Sequence, residues 1–483
     1  MSRIVVGPFN RVEGDLDITL DSADGRVTGA RVNATLYRGF ERILLDKPAL
    51  DALVYTPRIC GICSVSQSVA AALALADSQG MQPTRNGELC RNLILANESL
   101  TDLLTHFYLF FMPDFARESY AKEPWFDAVA SRFKAVSGEA TREVLPARAE
   151  FLHLMGLLAG KWPHTLSIQP GGSTRPVQRQ ERLRLVAILG AFRRFLERVT
   201  FGDDLERITA IHTPEQLRSW QQEKTWQGGD LRTFLHLSEQ LGLDRLGRAT
   251  DRYMSFGNYA LQGEQTVPRG VWSPGNGLQA LDPGRIVEDV SHAWMEPAPP
   301  LHPAHGETEP VAEKEDAYSW CKAPRLDGQV VETGALARAL VAGDPLLTRL
   351  VIEQGGSVHT RMLARLLELA RTLPRLQQWA LQIEPDEPFC HHPQRLQDGE
   401  GVGLMEAARG SLGHWISVQR GRICRYQIIA PTTWNFSPRD AAGQPGALEQ
   451  ALVGAPIREG ETDPVAVQHI VRSFDPCMVC TVH

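Results

Sequence analysis

The stretch RICGICSVSQSVAAALALADSQG, Arg58 to Gly80, joins two cysteines to a long apolar run. Cys60 and Cys63 are separated by Gly61 and Ile62, and no other cysteine stands nearby. Apolar residues from Val65 to Ala76 recur with helical spacing, so the pair opens a helix. Two thiols do not complete a four-ligand metal site, so the partners must come from elsewhere in the chain. The last residues, Asp475-Pro476-Cys477-Met478-Val479-Cys480-Thr481-Val482-His483, supply a second C-x-x-C. A zinc ribbon keeps its two pairs within roughly 15–20 residues, whereas these sit near opposite ends of the chain. A thioredoxin-like redox pair needs a βαβ context, which neither has. Four soft thiolates suit zinc, iron–sulphur or nickel and iron chemistry. The bare spacing ranks structural zinc first and a redox metal second.

Outward from that stretch, the patterns alternate between strand and helix. DLDITLDSADGRVTGARVNATL, Asp15 to Leu36, alternates apolar and polar residues around Asp24-Gly25, a hairpin turn signal. GFERILLDKPALDALVYT, Gly39 to Thr56, has a helical period. Longer helical patterns follow in ELCRNLILANESLTDLLTHFYLFFM, RLRLVAILGAFRRFLERVTF and LLTRLVIEQGGSVHTRMLARLLELARTLPRLQQWALQI. Between them, about Gly228 to Gly328, lies a weaker stretch with the Pro/Glu-rich MEPAPPLHPAHGETEPVAEKED, which reads as a surface loop. GHWISVQRGRICRYQIIAP reads as a hairpin turning at Arg420-Gly421. The sequence predicts a mainly α protein with peripheral β, an α+β class. A central bundle of long helices is flanked by N-terminal and C-terminal β-hairpins. One body spans 1–483: a β region at 1–48, a helix core at 49–227 and 335–385, a mixed excursion at 228–330, and a β and metal-site region at 400–483.

Composition excludes several classes. The chain has 483 residues, 43% of them hydrophobic and 22% charged, with a net charge of −7. Lysines and arginines form no block, so nucleic acid is not an expected partner. No run of about eighteen apolar residues is present, so no membrane span is expected. The N-terminus carries no apolar segment of the kind general secretory export uses, which favours a cytoplasmic protein unless a partner carries the export signal. Of eight cysteines, Cys90, Cys321, Cys390 and Cys424 are scattered and read as bystanders.

The flanks of the cysteine pairs change the ranking of metals. R-x-C-G-x-C at Arg58 and D-P-C-x-x-C-x-x-H at Asp475, in one chain, resemble the large subunit of nickel–iron hydrogenases. Further matches run along nearly the whole sequence: Arg11-Val12-Glu13-Gly14, Arg38-Gly39-Phe40-Glu41, His106-Phe107-Tyr108 with Asp114, Pro163-His164, Lys322 to Arg325, Arg409-Gly410 with Leu412 to Trp415, and Pro431 to Asn435. The resemblance implies a NiFe hydrogenase large-subunit fold and heterolytic cleavage of H2 at a Ni–Fe centre with carbon monoxide and cyanide on iron. Cys60 and Cys477 would be terminal nickel ligands, and Cys63 and Cys480 would bridge the metals. A C-x-x-C at a helix N-terminus is expected to lower thiol pKa values. Cys477 matches the thiolate that takes a proton, and Glu13 matches the first proton relay. Read alone, Glu13 is a salt-bridge partner for Arg11 or another arginine. Asp114, Arg409 and Asp475 match a charged canopy. Thr432 sits where the family bonds a cyanide. Glu41, His483 and the carbonyl of Ile428 match a Mg2+ site.

Four departures from the family pattern are visible: Gln67 for histidine, Leu109 for histidine, Asp15 for histidine and Ala408 for proline. Gln67 resembles the regulatory, H2-sensing subgroup. A glutamine there still donates a hydrogen bond toward a bridging thiolate but does not titrate. Ile62 and Phe110 are bulkier than the usual residues. They would narrow a gas channel, or else they are ordinary packing. The sequence stops at His483, which fits either a mature form or the sensing subgroup. The first expectation is an H2 sensor of low turnover. Its partners would be a small subunit carrying iron–sulphur clusters and a histidine kinase, with maturation proteins and a dimer of heterodimers also implied. The alternatives are a catalytic uptake hydrogenase feeding a respiratory chain, and a non-hydrogenase relative in a respiratory complex. The four cysteines argue against the last.

Overall fold

The computed structural model describes residues 2–392 and 396–483. Four long helices close a ring of contacts: Arg85–Thr105, Glu139–Ala159, Arg179–Phe195 and Val358–Gln382. Their facing sides are mostly apolar, with Asn97 donating to the Phe151 carbonyl across one seam. Leu93, Leu100, Leu154, Leu189, Leu366 and Leu373 are fully buried, and Phe151 stacks on Phe192 with ring centroids 3.9 Å apart. This is the expected bundle, driven by burial of one stripe per helix. The helix Ser64–Ser78 lies outside the ring. It packs on Arg85–Thr105 on one side and on the C-terminal sheet on the other.

Both expected hairpins are present, and each gains a third strand. The N-terminal sheet runs Ser2–Val6, Leu16–Ala23, Arg26–Ala34, antiparallel in that order. Asp24 and Gly25 both have positive φ, 52° and 70°, which gives the two-residue turn the twist that suits a hairpin. The C-terminal sheet runs Gly399–Ala407, Gly410–Gln419, Arg422–Ile429, and Arg420 and Gly421 turn it with φ of 51° and 73°.

Some expected helices are interrupted. Residues 40–55 give only the short pieces Phe40–Ile43 and Ala52–Tyr55, because Asp46 takes φ 60° and Pro48 follows it. The pattern from Leu346 onward splits into Pro345–Gln354 and Val358–Gln382 at Gly355, whose φ is 81°. The mixed stretch is more ordered than its composition suggests. It holds the helix Asp230–Leu241 and a sheet of Tyr253–Leu261, Glu264–Ser273 and Gly277–Gln279. The Pro/Glu-rich segment is also not purely a surface loop, since Thr308 is buried and its hydroxyl donates to Glu41.

One contact sets the position of the cysteine helix. In the C-terminal sheet, Gly399, Gly401 and Gly403 alternate along one face of their strand. A Cβ on Gly403 would lie 2.0 Å from the Ala70 carbonyl oxygen, and one on Gly401 would lie 2.1 Å from that of Ala74. Strand backbone therefore rests directly on helix backbone. Gly403→Ala is expected to destabilise the fold by at least about 1–3 kcal/mol through forced separation. Denaturant unfolding measures this, and the purified variant should also hold less nickel per chain.

Candidate metal centre

The four cysteines of the two motifs meet. Their sulphurs all lie within 4.8 Å of one another. Cys60 Sγ is 3.6 Å from Cys477 Sγ, Cys63 Sγ is 3.1 Å from Cys480 Sγ, and Cys477 and Cys480 are 3.0 Å apart. Backbone pairing brings the chain ends together. The Met478 amide donates to the Glu13 carbonyl at 2.7 Å, and the Glu13 amide to the Pro476 carbonyl at 3.4 Å. Arg38 joins the two cysteine segments, donating to the carbonyls of Arg58 (3.2 Å), Ile59 and Val479 (3.3 Å). The Cys477 amide donates to Thr432 Oγ1 at 3.1 Å. Thr432 lines a small cavity with Cys63, Gln67, Arg409, Cys477 and Cys480, and its own O–H is free to donate there.

The thiols do not share one acidity. Hydrogen bonds from Cys477, Cys480 and Cys63 hold the Cys60 thiol well below its usual value. The same bonds push Cys63 and Cys480 well above theirs, and burial pushes Cys477 up. The expectation that a helix end acidifies the pair is therefore corrected. Cys60 is acidified by its neighbours, and the amides at the start of helix Ser64–Ser78 are taken by Glu98. The cluster by itself favours one negative charge, so four thiolates require a bound cation. A soft metal fits this donor set. The surroundings also suit an open site more than a closed structural zinc. Arg409 Nη2, Asp102 Oδ1 and Asp475 Oδ2 are buried and make no hydrogen bond among the described residues.

The canopy differs from the expected one by one residue. Arg409 Nη1 pairs with Asp102 Oδ2 at 2.9 Å, and Arg409 Nε with Asp475 Oδ1 at 3.2 Å. Burial raises the Asp475 carboxyl, but Arg409 and His106 pull it below its usual value. Asp114, expected here, instead pairs with Arg11, with Arg117 at 2.9 Å and with Arg472 at 2.7 Å. The physical reason is local. The chain widens into a π turn at His106–Phe111 and then tightens at Pro113, which carries Asp114 off the axis of the preceding helix. Asp102 sits one turn before His106 on the regular helix. The available signal was the pair Glu98 and Asp102, two carboxylates four residues apart on one face of a buried helix. Burial pushes Asp102 up to about 8 against the pull of Arg409.

Glu13 does not form the salt bridge with Arg11, which is engaged by Asp114. Among the described residues the Glu13 carboxylate makes no ion pair. Burial raises its pKa, and the Cys60 thiolate raises it further against Arg409. Gln67 Oε1 is 2.8 Å from His414 Nε2, and His414 Nδ1 is 2.8 Å from the Tyr426 hydroxyl. Burial drives His414 down to about 3, so it is neutral. With Nε2–H donating to Gln67, Nδ1 accepts from Tyr426, and the Gln67 amide N–H groups are left for the cavity side. The sequence reading gave His414 no role. Ile62 and Phe110 are half-buried, and neither lines the cavity against the sulphurs.

Glu41 and His483 also meet: Glu41 Oε1 is 3.2 Å from His483 Nε2 and accepts from the Ile428 amide at 2.7 Å. The contact from Ile428 is thus its N–H, where its carbonyl was expected. Lys322 Nζ lies 3.2 Å from Glu41, 3.4 Å from Glu288 and 2.7 Å from Gln427 Oε1. Burial raises the Glu41 carboxyl, yet Lys322 and His483 bring it below its usual value. The oxygens of Glu41, Glu288 and Gln427 fit a hard cation. Within the chain, the Lys322 ammonium serves them.

Comparison with known proteins agrees with the geometry. The profile of the family described as nickel-dependent hydrogenase matches residues 38–123 and 141–483. The periplasmic NiFeSe hydrogenase large subunit of Desulfomicrobium baculatum is 28% identical, over 100% of this chain and 95% of that protein. The uptake hydrogenase large subunit of Rhodobacter capsulatus is also 28% identical, with the same coverage. The reduced Ni-Fe-Se hydrogenase of D. vulgaris Hildenborough superposes with a TM-score of 0.85 at 29% identity, covering all of both chains. The chain belongs to the nickel-dependent hydrogenases, as a large subunit.

Proposed function

We propose that this subunit activates H2 at a nickel–iron centre held by Cys60, Cys63, Cys477 and Cys480, and that it acts as an H2 sensor. The observation that carries the first part is the backbone pairing of Glu13 with Met478 and Pro476, which brings a carboxyl of raised proton affinity to the cysteine cluster, close enough to feel Cys60. When bound, the centre supplies the Lewis acidity that polarises H2, with carbon monoxide and cyanide on its iron. Cys60 and Cys477 would hold nickel, and Cys63 and Cys480, 3.1 Å apart, would serve both metals. Cys477 takes a proton and Glu13 carries it away. Arg409, oriented by Asp102 and Asp475, holds positive charge over the open side. Thr432 would offer its hydroxyl as a hydrogen-bond donor to a cyanide. H2 yields two protons and two electrons. Among the described residues there is no second cysteine cluster, so the electrons leave through a small subunit carrying iron–sulphur clusters.

The sensing role rests on Gln67. Locked by a neutral His414, its amide keeps one protonation state at every physiological pH, which suits reporting on H2 more than consuming it. The signalling partner would be a histidine kinase, and the compartment cytoplasmic. Ile62 and Phe110 would narrow gas entry. Glu41 and His483, with Mg2+ between them, would fasten the C-terminal turn.

Infrared spectra of the purified complex with and without H2 are expected to show carbon monoxide and cyanide bands that move on H2 addition. Dye reduction is expected to be slow and kinase autophosphorylation to respond to H2. Fast dye reduction with no kinase response would favour an uptake enzyme. Glu13→Gln should lower H/D exchange by about 100-fold or more at unchanged nickel content, the usual scale for a lost proton carrier. Asp102→Asn should shift the infrared bands and lower activity per nickel. Asp114→Asn should instead cost about 3–5 kcal/mol of stability, leaving Arg11 and Arg472 without a carboxylate while Arg117 keeps Asp463, with activity per nickel preserved.

A further inference from the structure

A cysteine at the start of a helix leaves that helix short of acceptors. The first amides have no partner within the helix. Ser, Thr, Asp or Asn at the cap position ordinarily accepts from the second or third helical residue. Helix Ser64–Ser78 begins at Cys63, whose side chain makes no capping bond. The acceptor comes from another helix. Glu98, on Arg85–Thr105, accepts from the Val65 amide at 2.8 Å, the Ser66 amide at 2.9 Å and the Ser66 hydroxyl at 2.9 Å. The Trp162 indole N–H adds a fourth bond at 3.1 Å. Glu98 is 2% exposed. All four partners donate, the arrangement that serves an ionised carboxylate, which only accepts; burial pushes Glu98 up to about 7 against these bonds, so its charge is complete above neutral pH.

We propose that Glu98 is a positioning residue for Cys63: it caps the C-x-x-C helix in place of the cysteine, leaving the Cys63 sulphur free to bridge two metals. The inference rests on reading Cys63 as a bridging thiolate. A sulphur that capped its own helix would give lone-pair density to the Val65 or Ser66 amide and turn toward the helix. Here it turns toward Cys480, 3.1 Å away. The Glu98 charge also offsets the positive end of the helix beside Cys63, which leaves that sulphur a stronger electron donor. Asp102 follows Glu98 by one turn on the same helix and pairs with Arg409. One helix thereby holds both the cap of the cysteine segment and the anchor of the canopy.

The test uses the metal-loaded complex above neutral pH, with Glu98→Gln, Glu98→Asp and Trp162→Phe. Glu98→Gln should retain nickel, shift the carbon monoxide band to higher frequency, and speed hydrogen exchange at the Val65 and Ser66 amides by about tenfold or more. Glu98→Asp, which keeps the charge, should return the band toward its original place. Trp162→Phe, which removes one donor and leaves the carboxylate more basic, should shift the band the opposite way. Bands unmoved in both Glu98→Gln and Trp162→Phe would overturn the inference. If Glu98→Gln does not fold, Trp162→Phe alone decides it. Absence of the bands in the unaltered protein would instead overturn the nickel–iron reading.

Discussion

Four thiols within 4.8 Å of one another, three buried and Cys63 half-buried, repel as anions, and that repulsion organises the site. Alone they favour a single shared negative charge on Cys60. Full ionisation needs compensating positive charge from a metal, and secondarily from Arg409. Around that demand the chain arranges acidic partners at graded distances. Asp102 and Asp475 fix the guanidinium, and Glu13 stands to one side, its proton affinity raised by burial and further by Cys60. A carboxyl of raised proton affinity thus stands close to the thiols.

Much of this was legible in the residues. The two C-x-x-C motifs, their flanks, and the long helical periods led to the correct family and architecture. So did both hairpins, because Asp24-Gly25 and Arg420-Gly421 are turn signals in themselves. What was not legible depends on how elements face each other. Asp114 lies near the quoted H-F-Y motif in sequence, but a π turn and Pro113 swing it into an arginine cluster, and Asp102 takes the place beside Arg409. The short strand Ser2–Val6 left no pattern long enough to stand out. The alternating Gly399, Gly401 and Gly403 read as weak strand formers until the helix beneath them is seen.

His414 illustrates the same limit at the site. Histidines in a sequence suggest titration, yet this one is buried so deeply that it stays neutral and serves as a fixed donor to Gln67. The network Tyr426, His414, Gln67 is polar, buried and joined by two hydrogen bonds of 2.8 Å, and such networks specify one arrangement when satisfied. Its members come from two strands of the C-terminal sheet and from the cysteine helix. No local pattern in any one of them announces the others.

The seating of strand Gly399–Ala407 on helix Ser64–Ser78 has a mechanical consequence. With no side chain between Gly403 and Ala70, there is no compressible layer to absorb relative motion. The strand ends at Ala407, two residues before Arg409, and the helix begins at Cys63. Sulphur and guanidinium are thus mounted on two backbones in hard contact. The gap in which a small gas molecule would react is set by main-chain stiffness, and rotamer changes elsewhere in the core leave its width alone.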